Sequence, residues 1–105
     1  MALRLLCLDG HADISLGGAV LVVGRHPRCD VRIASPRVSR RHCYLAPDRD
    51  CILVRDLGSS NGTRINGQRV EEGVLRPGDE LSIADCRYQL EGLSGCRAAA
   101  RPSLA

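Results

Sequence analysis

The sequence predicts an all-β fold: a β-sandwich of two antiparallel or mixed sheets, with ligand loops at one end and no substantial helix. Three observations point there. Short apolar runs recur about every 8–12 residues, each closed by a turn signal. Several alternate apolar with polar residues, the period of a half-buried strand. No stretch sustains a 3.6-residue period with caps.

The elements follow in order. Leu3 to Leu8 is an apolar run ended by Asp9-Gly10, and Ala19 to Val23 is a second, closed by Gly24. Val31-Arg32-Ile33 alternates and is very short. Cys43–Ala46 and Cys51–Val54 flank Pro47-Asp48-Arg49-Asp50, which reads as a hairpin. Thr63-Arg64-Ile65 leads into Asn66-Gly67, the strongest short hairpin dipeptide, and Gln68-Arg69-Val70 returns from it. Pro77-Gly78-Asp79 is a further turn before the alternating strands Glu80–Ile83 and Cys86–Leu90. Residues 1–92 read as one folded domain. From Leu93 to Ala105 the chain is mostly Gly, Arg, Ala, Pro and Ser, and reads as a loose tail or the start of a linker.

The length, 105 residues, suits one compact core. With two tyrosines, no Phe and no Trp, that core must be built from Leu, Val, Ile, Ala and Cys. Net charge is a mild +3, and every Lys/Arg position is arginine, whose fixed fork of donors suits carboxylate or phosphate. Six cysteines invite a disulfide framework. Most lie inside apolar runs and none has zinc-ligand spacing, so free buried thiols and no metal are expected. The first eight residues reach Asp9-Gly10 before a signal-like hydrophobic region develops, and no segment approaches the ~20 apolar residues of a membrane span. A soluble, cytoplasmic, monomeric protein without a cofactor is the expectation.

Two donor-rich loops bracket the central hairpin: Ser39-Arg40-Arg41-His42 and Gly58-Ser59-Ser60-Asn61-Gly62, with Arg25 just upstream. Taken singly, Arg25 reads as an ordinary exposed arginine and His42 as a histidine bonded to neighbouring backbone. Gly58-Ser59-Ser60-Asn61-Gly62 fits the G-x-S-x-G nucleophile elbow, but that elbow needs a following helix, and here a strand and an Asn-Gly turn follow. A catalytic base would need a nucleophile and an orienting partner, which position alone does not supply. The set reads as an anion pocket, and no enzyme is expected.

Taken together, Gly24-Arg25, Ser39-x-x-His42, Asp56-Leu57-x-Ser59-Ser60-Asn61-Gly62-Thr63 and Asn66-Gly67 resemble the forkhead-associated (FHA) domain in order and spacing. Leu75-Arg76-Pro77-Gly78-Asp79 resembles the segment that precedes the last two strands of that family. The resemblance runs from about Leu3 to Leu90. It implies an eleven-stranded sandwich whose end loops bind phosphothreonine peptides, an adaptor in Ser/Thr kinase signalling. By the same resemblance Arg25 grips the phosphate and Ser39 donates its hydroxyl to it; Arg40 follows at a position where that family varies, and an arginine there would add a second cation. Ser60 lies near the phosphate and the threonine methyl, and Asn61 bonds the peptide main chain. Gly24, His42, Asp56 and Gly62 are implied as loop supports, the two glycines for positive φ. Arg37 and Arg41 read as rim charges and are not counted among the binding residues. The partner would be a phosphothreonine-bearing protein, a Ser/Thr kinase or its substrate, with no nucleic acid and no membrane.

Charge-assisted bonds contribute about 1.5–3 kcal/mol each, so three or four, less the ordering of a flexible peptide, imply roughly micromolar binding. Burial of one methyl would favour phosphothreonine over phosphoserine by about 1–3 kcal/mol. Two rival readings remain: a scaffold of the same fold that binds protein without phosphate, and a nucleic-acid binder. The second lacks an aromatic stacking platform, and its arginines are spread along the chain. Thr63 is the only threonine and lies within the motif, so an intramolecular switch would take a threonine outside these 105 residues. A Ser/Thr kinase incubated with this chain is therefore expected to create no phosphothreonine ligand; a kinase-driven dimer held by phosphothreonine would contradict this.

Overall fold

A computed structural model describes residues 3–92. The tail expected over 93–105 lies outside the described residues. Alternating burial builds eleven strands: β1 (Leu3–Cys7), β2 (Ile14–Leu16), β3 (Leu21–Gly24), β4 (Val31–Arg32), β5 (Cys43–Asp48), β6 (Cys51–Asp56), β7 (Thr63–Ile65), β8 (Gln68–Arg69), β9 (Glu72–Leu75), β10 (Glu80–Ile83) and β11 (Cys86–Gly92). No helix occurs among the described residues. One sheet has the order β2-β1-β11-β10-β7-β8 and the other β4-β3-β5-β6-β9. All pairs are antiparallel except β3–β4, which makes the second sheet mixed.

The register sends one residue in two toward the gap between the sheets. In the first sheet Leu5 lies between Ile14 and Leu90, and Leu81 between Tyr88 and Ile65. In the second, Leu45 lies between Leu21 and Val54, and Ile52 opposite Leu75. Apart from Leu21 and Ile65, which are half-buried and pack against it, these side chains belong to the buried core together with Val23, Ile33, Val38 and Ile83. Each fully buried aliphatic side chain contributes about 1.5–3 kcal/mol of transfer free energy, which compensates for the single aromatic residue in the core.

Two strands carried no local signal. β2 has only three residues, set between Asp13 and Gly17-Gly18, and is a strand because Leu3 and Leu5 pair with it. β9 contains an interior glycine and is a strand through its pairing with β6. Gly73 has a steric reason to be there: a Cβ would come within 2.9 Å of Ile65 Cδ1. The central hairpin is also tighter than the sequence suggests. β5 and β6 pair out to Asp48 and Cys51, leaving a loop of Arg49 and Asp50 alone. Pro47 is tolerated inside β5 because it lies beyond the residues paired with β3, where its missing N–H removes no ladder bond. Asn66 and Gly67 both have positive φ, 52° and 84°, the geometry of the expected Asn-Gly turn.

The five cysteines among the described residues are free. Cys43 and Cys86 are buried, but Cys7, Cys29 and Cys51 are only half-buried, contrary to the expectation of buried thiols. Cys7 ends β1, Cys29 lies in the turn between β3 and β4, and Cys51 opens β6. Burial and the nearby Asp56 carboxylate push the Cys43 thiol up to about 12, so it stays a protonated, inert filler.

Candidate functional site

The β3–β4, β4–β5 and β6–β7 loops meet at one end of the sandwich. Arg25 follows the last residue of β3, and its backbone N–H donates to the Ser39 carbonyl at 2.9 Å. Its side-chain Nε donates to the Val38 carbonyl at 3.1 Å. That bond fixes the direction of the guanidinium and leaves its two terminal nitrogens as a fork. Gly24 is required here for a reason other than positive φ, which it does not adopt. A Cβ at Gly24 would overlap the Arg40 carbonyl oxygen and approach its carbon to 2.8 Å. The glycine lets the Arg40–Arg41 backbone lie directly on β3. Gly62 does have a positive φ of 88°, and it also faces the Arg69 guanidinium.

His42 is completely buried between the loops. Its Nδ1 accepts the Ser39 N–H at 3.1 Å, so the ring proton sits on Nε2, which donates to the Gly62 carbonyl at 2.8 Å. Its backbone N–H donates to Val23 and its carbonyl accepts from Leu57. One residue thus joins β3 to both the β4–β5 and β6–β7 loops. The two loops also touch directly, where the Ser39 hydroxyl accepts the Ser60 N–H at 3.1 Å. A hydroxyl that accepts there keeps its own proton to donate.

The β6–β7 loop is wound around Asp56. Its Oδ2 accepts the N–H groups of Gly58 and Ser59 at 2.9 and 3.0 Å. Its Oδ1 accepts the Thr63 hydroxyl at 2.7 Å and the Ser59 hydroxyl. Ser59 is buried, and its hydroxyl both donates to Asp56 and accepts the Gly62 N–H, so it is taken up inside the loop. Partial burial pushes the Asp56 carboxyl up, but the four hydrogen bonds outweigh burial and hold it below the ordinary value of 3.8. Thr63 is wholly buried beneath this loop. At the rim, Asn61 donates its Nδ2 to the Arg37 carbonyl at 2.6 Å, which ties the β6–β7 loop to the β4–β5 loop and leaves the amide oxygen for a ligand. Ser35 extends the same scaffold to the last hairpin by donating to Asp85 at 3.0 Å.

A family model described as FHA domain matches residues 21–84, well over half of the chain.

The chain belongs to the FHA domain family.

It is 38% identical over 80 residues to the glycogen accumulation regulator GarA of Mycobacterium tuberculosis, covering 76% of this chain and 48% of GarA. It is 36% identical over 85 residues to the proliferation marker protein Ki-67 of Mus musculus, covering 79% of this chain but 3% of Ki-67. The chain therefore spans about half of one relative and a small part of the other. The N-terminal FHA domain of S. cerevisiae Rad53p, solved in complex with a phosphothreonine peptide, superposes with a TM-score of 0.75 at 25% identity. That alignment covers 87% of this chain and 93% of the Rad53p domain.

In this FHA domain the sequence-predicted residues Arg25, Ser39, Ser60 and Asn61 are joined through the contacts above. Arg40 stands beside Arg25 across a cavity of about 440 Å³, which His26, Pro27, Arg32 and Ala34 also line. Arg41 is exposed, and Arg37 takes part through its carbonyl. Sequence reading missed Arg32 and His26. Arg32 reaches the cavity because β4 runs parallel to β3 and sets it opposite Gly24, a register with no local signature. The arginines are also less evenly spread than the sequence reading held, since six of the fifteen fall between Arg25 and Arg41.

Replacing Asp56 by Asn leaves loop donors facing an amide, and is expected to destabilise the domain by about 1–3 kcal/mol at pH 7. Because the folded-state pKa is lowered, the aspartate's contribution is present above its unfolded value and is lost as pH falls through the folded one. Denaturant melts at pH 7 and at about pH 3 should show the gap between wild type and Asp56→Asn narrowing in acid. A gap that is constant or wider at low pH contradicts the role given to Asp56.

Proposed function

We propose that this FHA domain, taken as residues 1–92, reads phosphothreonine in partner proteins and works as a binding adaptor in Ser/Thr kinase signalling, not as an enzyme. The observation that carries the reading is a set of donors with no acceptor among the described residues. The terminal nitrogens of Arg25, the Ser39 hydroxyl and the Ser60 hydroxyl are anchored to one another by bonds that use other atoms. Donors without acceptors, on a backbone fixed before binding, suit a dianionic tetrahedral group.

In this reading the Arg25 fork takes two phosphate oxygens and Ser39 a third, with Arg40 adding charge. Ser60 packs by the threonine methyl. Asn61, held by Arg37, offers its amide oxygen to a peptide N–H and so sets the peptide's register. Gly24, His42, Asp56 and Gly62 hold the loops and touch no ligand. Rad53p's N-terminal FHA domain and its phosphothreonine peptide support the assignment by likeness of fold. The partner is a Ser/Thr kinase or a kinase substrate, bound by one copy of the domain without cofactor, metal, nucleic acid or membrane.

Isothermal calorimetry should give roughly micromolar binding to a phosphothreonine peptide and none to its unphosphorylated form. Arg25→Ala should abolish detectable binding while lowering stability by no more than about 1.5 kcal/mol, the scale of the one part-buried hydrogen bond lost. A variant that binds like wild type rules the pocket out, and partner binding that survives phosphatase treatment favours the phosphate-independent scaffold.

A further inference from the structure

The segment from Arg25 to Arg41 holds six arginines and one acid, Asp30. It carries more than the chain's net +3, because the remaining residues have nine basic side chains against eleven acidic ones. Asp30 is used elsewhere: its Oδ2 accepts the Val22 N–H at 2.8 Å. Three of the six arginines, Arg25, Arg32 and Arg40, line the same cavity of about 440 Å³. The ion pairs among the described residues are Arg4–Glu91, Arg87–Asp9 and Arg87–Glu80, so none of the three guanidinium groups has a carboxylate within 4.0 Å. Arg32 is nevertheless positioned. Its Nε donates to the Arg25 carbonyl at 3.0 Å, leaving its terminal nitrogens as a second fork. His26 Nδ1 accepts the Arg28 N–H at 3.0 Å, which in the neutral ring puts a proton on Nε2.

One phosphothreonine brings about 1.5 to 2 negative charges, which Arg25 and Arg40 already balance. Arg32 is the surplus. Three like charges around one cavity repel each other, and a second anion relieves that repulsion. We propose that Arg32, with His26, forms a second anion subsite contiguous with the phosphothreonine pocket, so that the domain prefers peptides bearing a further phosphoryl or carboxylate group beside the phosphothreonine. The inference rests on the phosphothreonine reading and names the ligand more narrowly.

The test is a peptide series read by fluorescence anisotropy. Each peptide carries one phosphothreonine and, one or two positions to either side, alanine, glutamate or phosphoserine. In at least one placement the doubly phosphorylated peptide should bind on the order of tenfold more tightly than the alanine peptide, with glutamate between them. The gain should shrink as salt is raised. Arg32→Ala should remove the gain and change affinity for the alanine peptide by less than about twofold. Arg32→Lys, which keeps the charge and most of the stem, should retain most of the gain and covers the case in which alanine disturbs the fold.

Equal binding of the alanine and doubly phosphorylated peptides at every placement overturns the subsite and leaves the phosphothreonine reading standing. So does an Arg32→Ala variant that weakens all peptides by one factor. If the unphosphorylated peptide binds as well as the alanine peptide, the phosphothreonine reading itself fails and the subsite with it. A single-stranded oligonucleotide that outcompetes the doubly phosphorylated peptide in an Arg32-dependent way assigns the cavity to nucleic acid and also overturns the proposal.

Discussion

The imidazole of His42 has no exposed surface, and both of its nitrogens are used, one by the Ser39 amide and one by the Gly62 carbonyl. A buried polar ring left half-satisfied is destabilising by roughly the desolvation penalty of the orphaned group, about 1–3 kcal/mol. The ring therefore fixes the separation of two loops that lie 20 residues apart in sequence. The backbone of the same residue fixes both loops against β3. Arg25 leaves β3 at that point, so the direction of its guanidinium and the position of Ser39 are set by one brace. The surface donors are ordered because the histidine beneath them is.

Around this brace each loop is tied by its own short-range device. Asp56 winds the β6–β7 loop with four hydrogen bonds, and Gly24 lets the Arg40–Arg41 backbone lie against β3. These contacts order the loops within the fold itself, so that in the proposed reading a few charge-assisted bonds suffice for a short flexible peptide. The same arrangement occupies the serine and the histidine at this end of the sandwich. Ser59 is committed to Asp56, and His42 has no free nitrogen with which to take a proton. What remains exposed is a field of donors and positive charge.

Much of the fold was readable because its signals are local. Alternation gave most strands, and Asn66-Gly67 marked a turn whose two residues do adopt positive φ. β2 and β9 were not readable, because three residues, or four with an interior glycine, become strands only through neighbours far along the chain. The site divides in the same way. Arg25, Ser39, Ser60 and Asn61 belong to a spaced motif and could be named from sequence. Arg32 could not, since its place beside Arg25 comes from the parallel register of β3 and β4. Gly24 was named for the wrong reason. Its need is steric, set by a carbonyl 16 residues later, and no dihedral preference signals that.

The most direct test of a pocket held ready by His42 is a pair of 15N-resolved NMR titrations, one with a phosphothreonine peptide and one with the same peptide unphosphorylated. The phosphopeptide should shift the amides of Arg25, Ser39, Arg40, Ser60 and Asn61 and the Arg25 side-chain resonance, with the His42 ring and the strand amides nearly unmoved. The unphosphorylated peptide should leave all of them in place. Equal shifts from both peptides, or shifts centred on the strands away from these loops, would contradict the account.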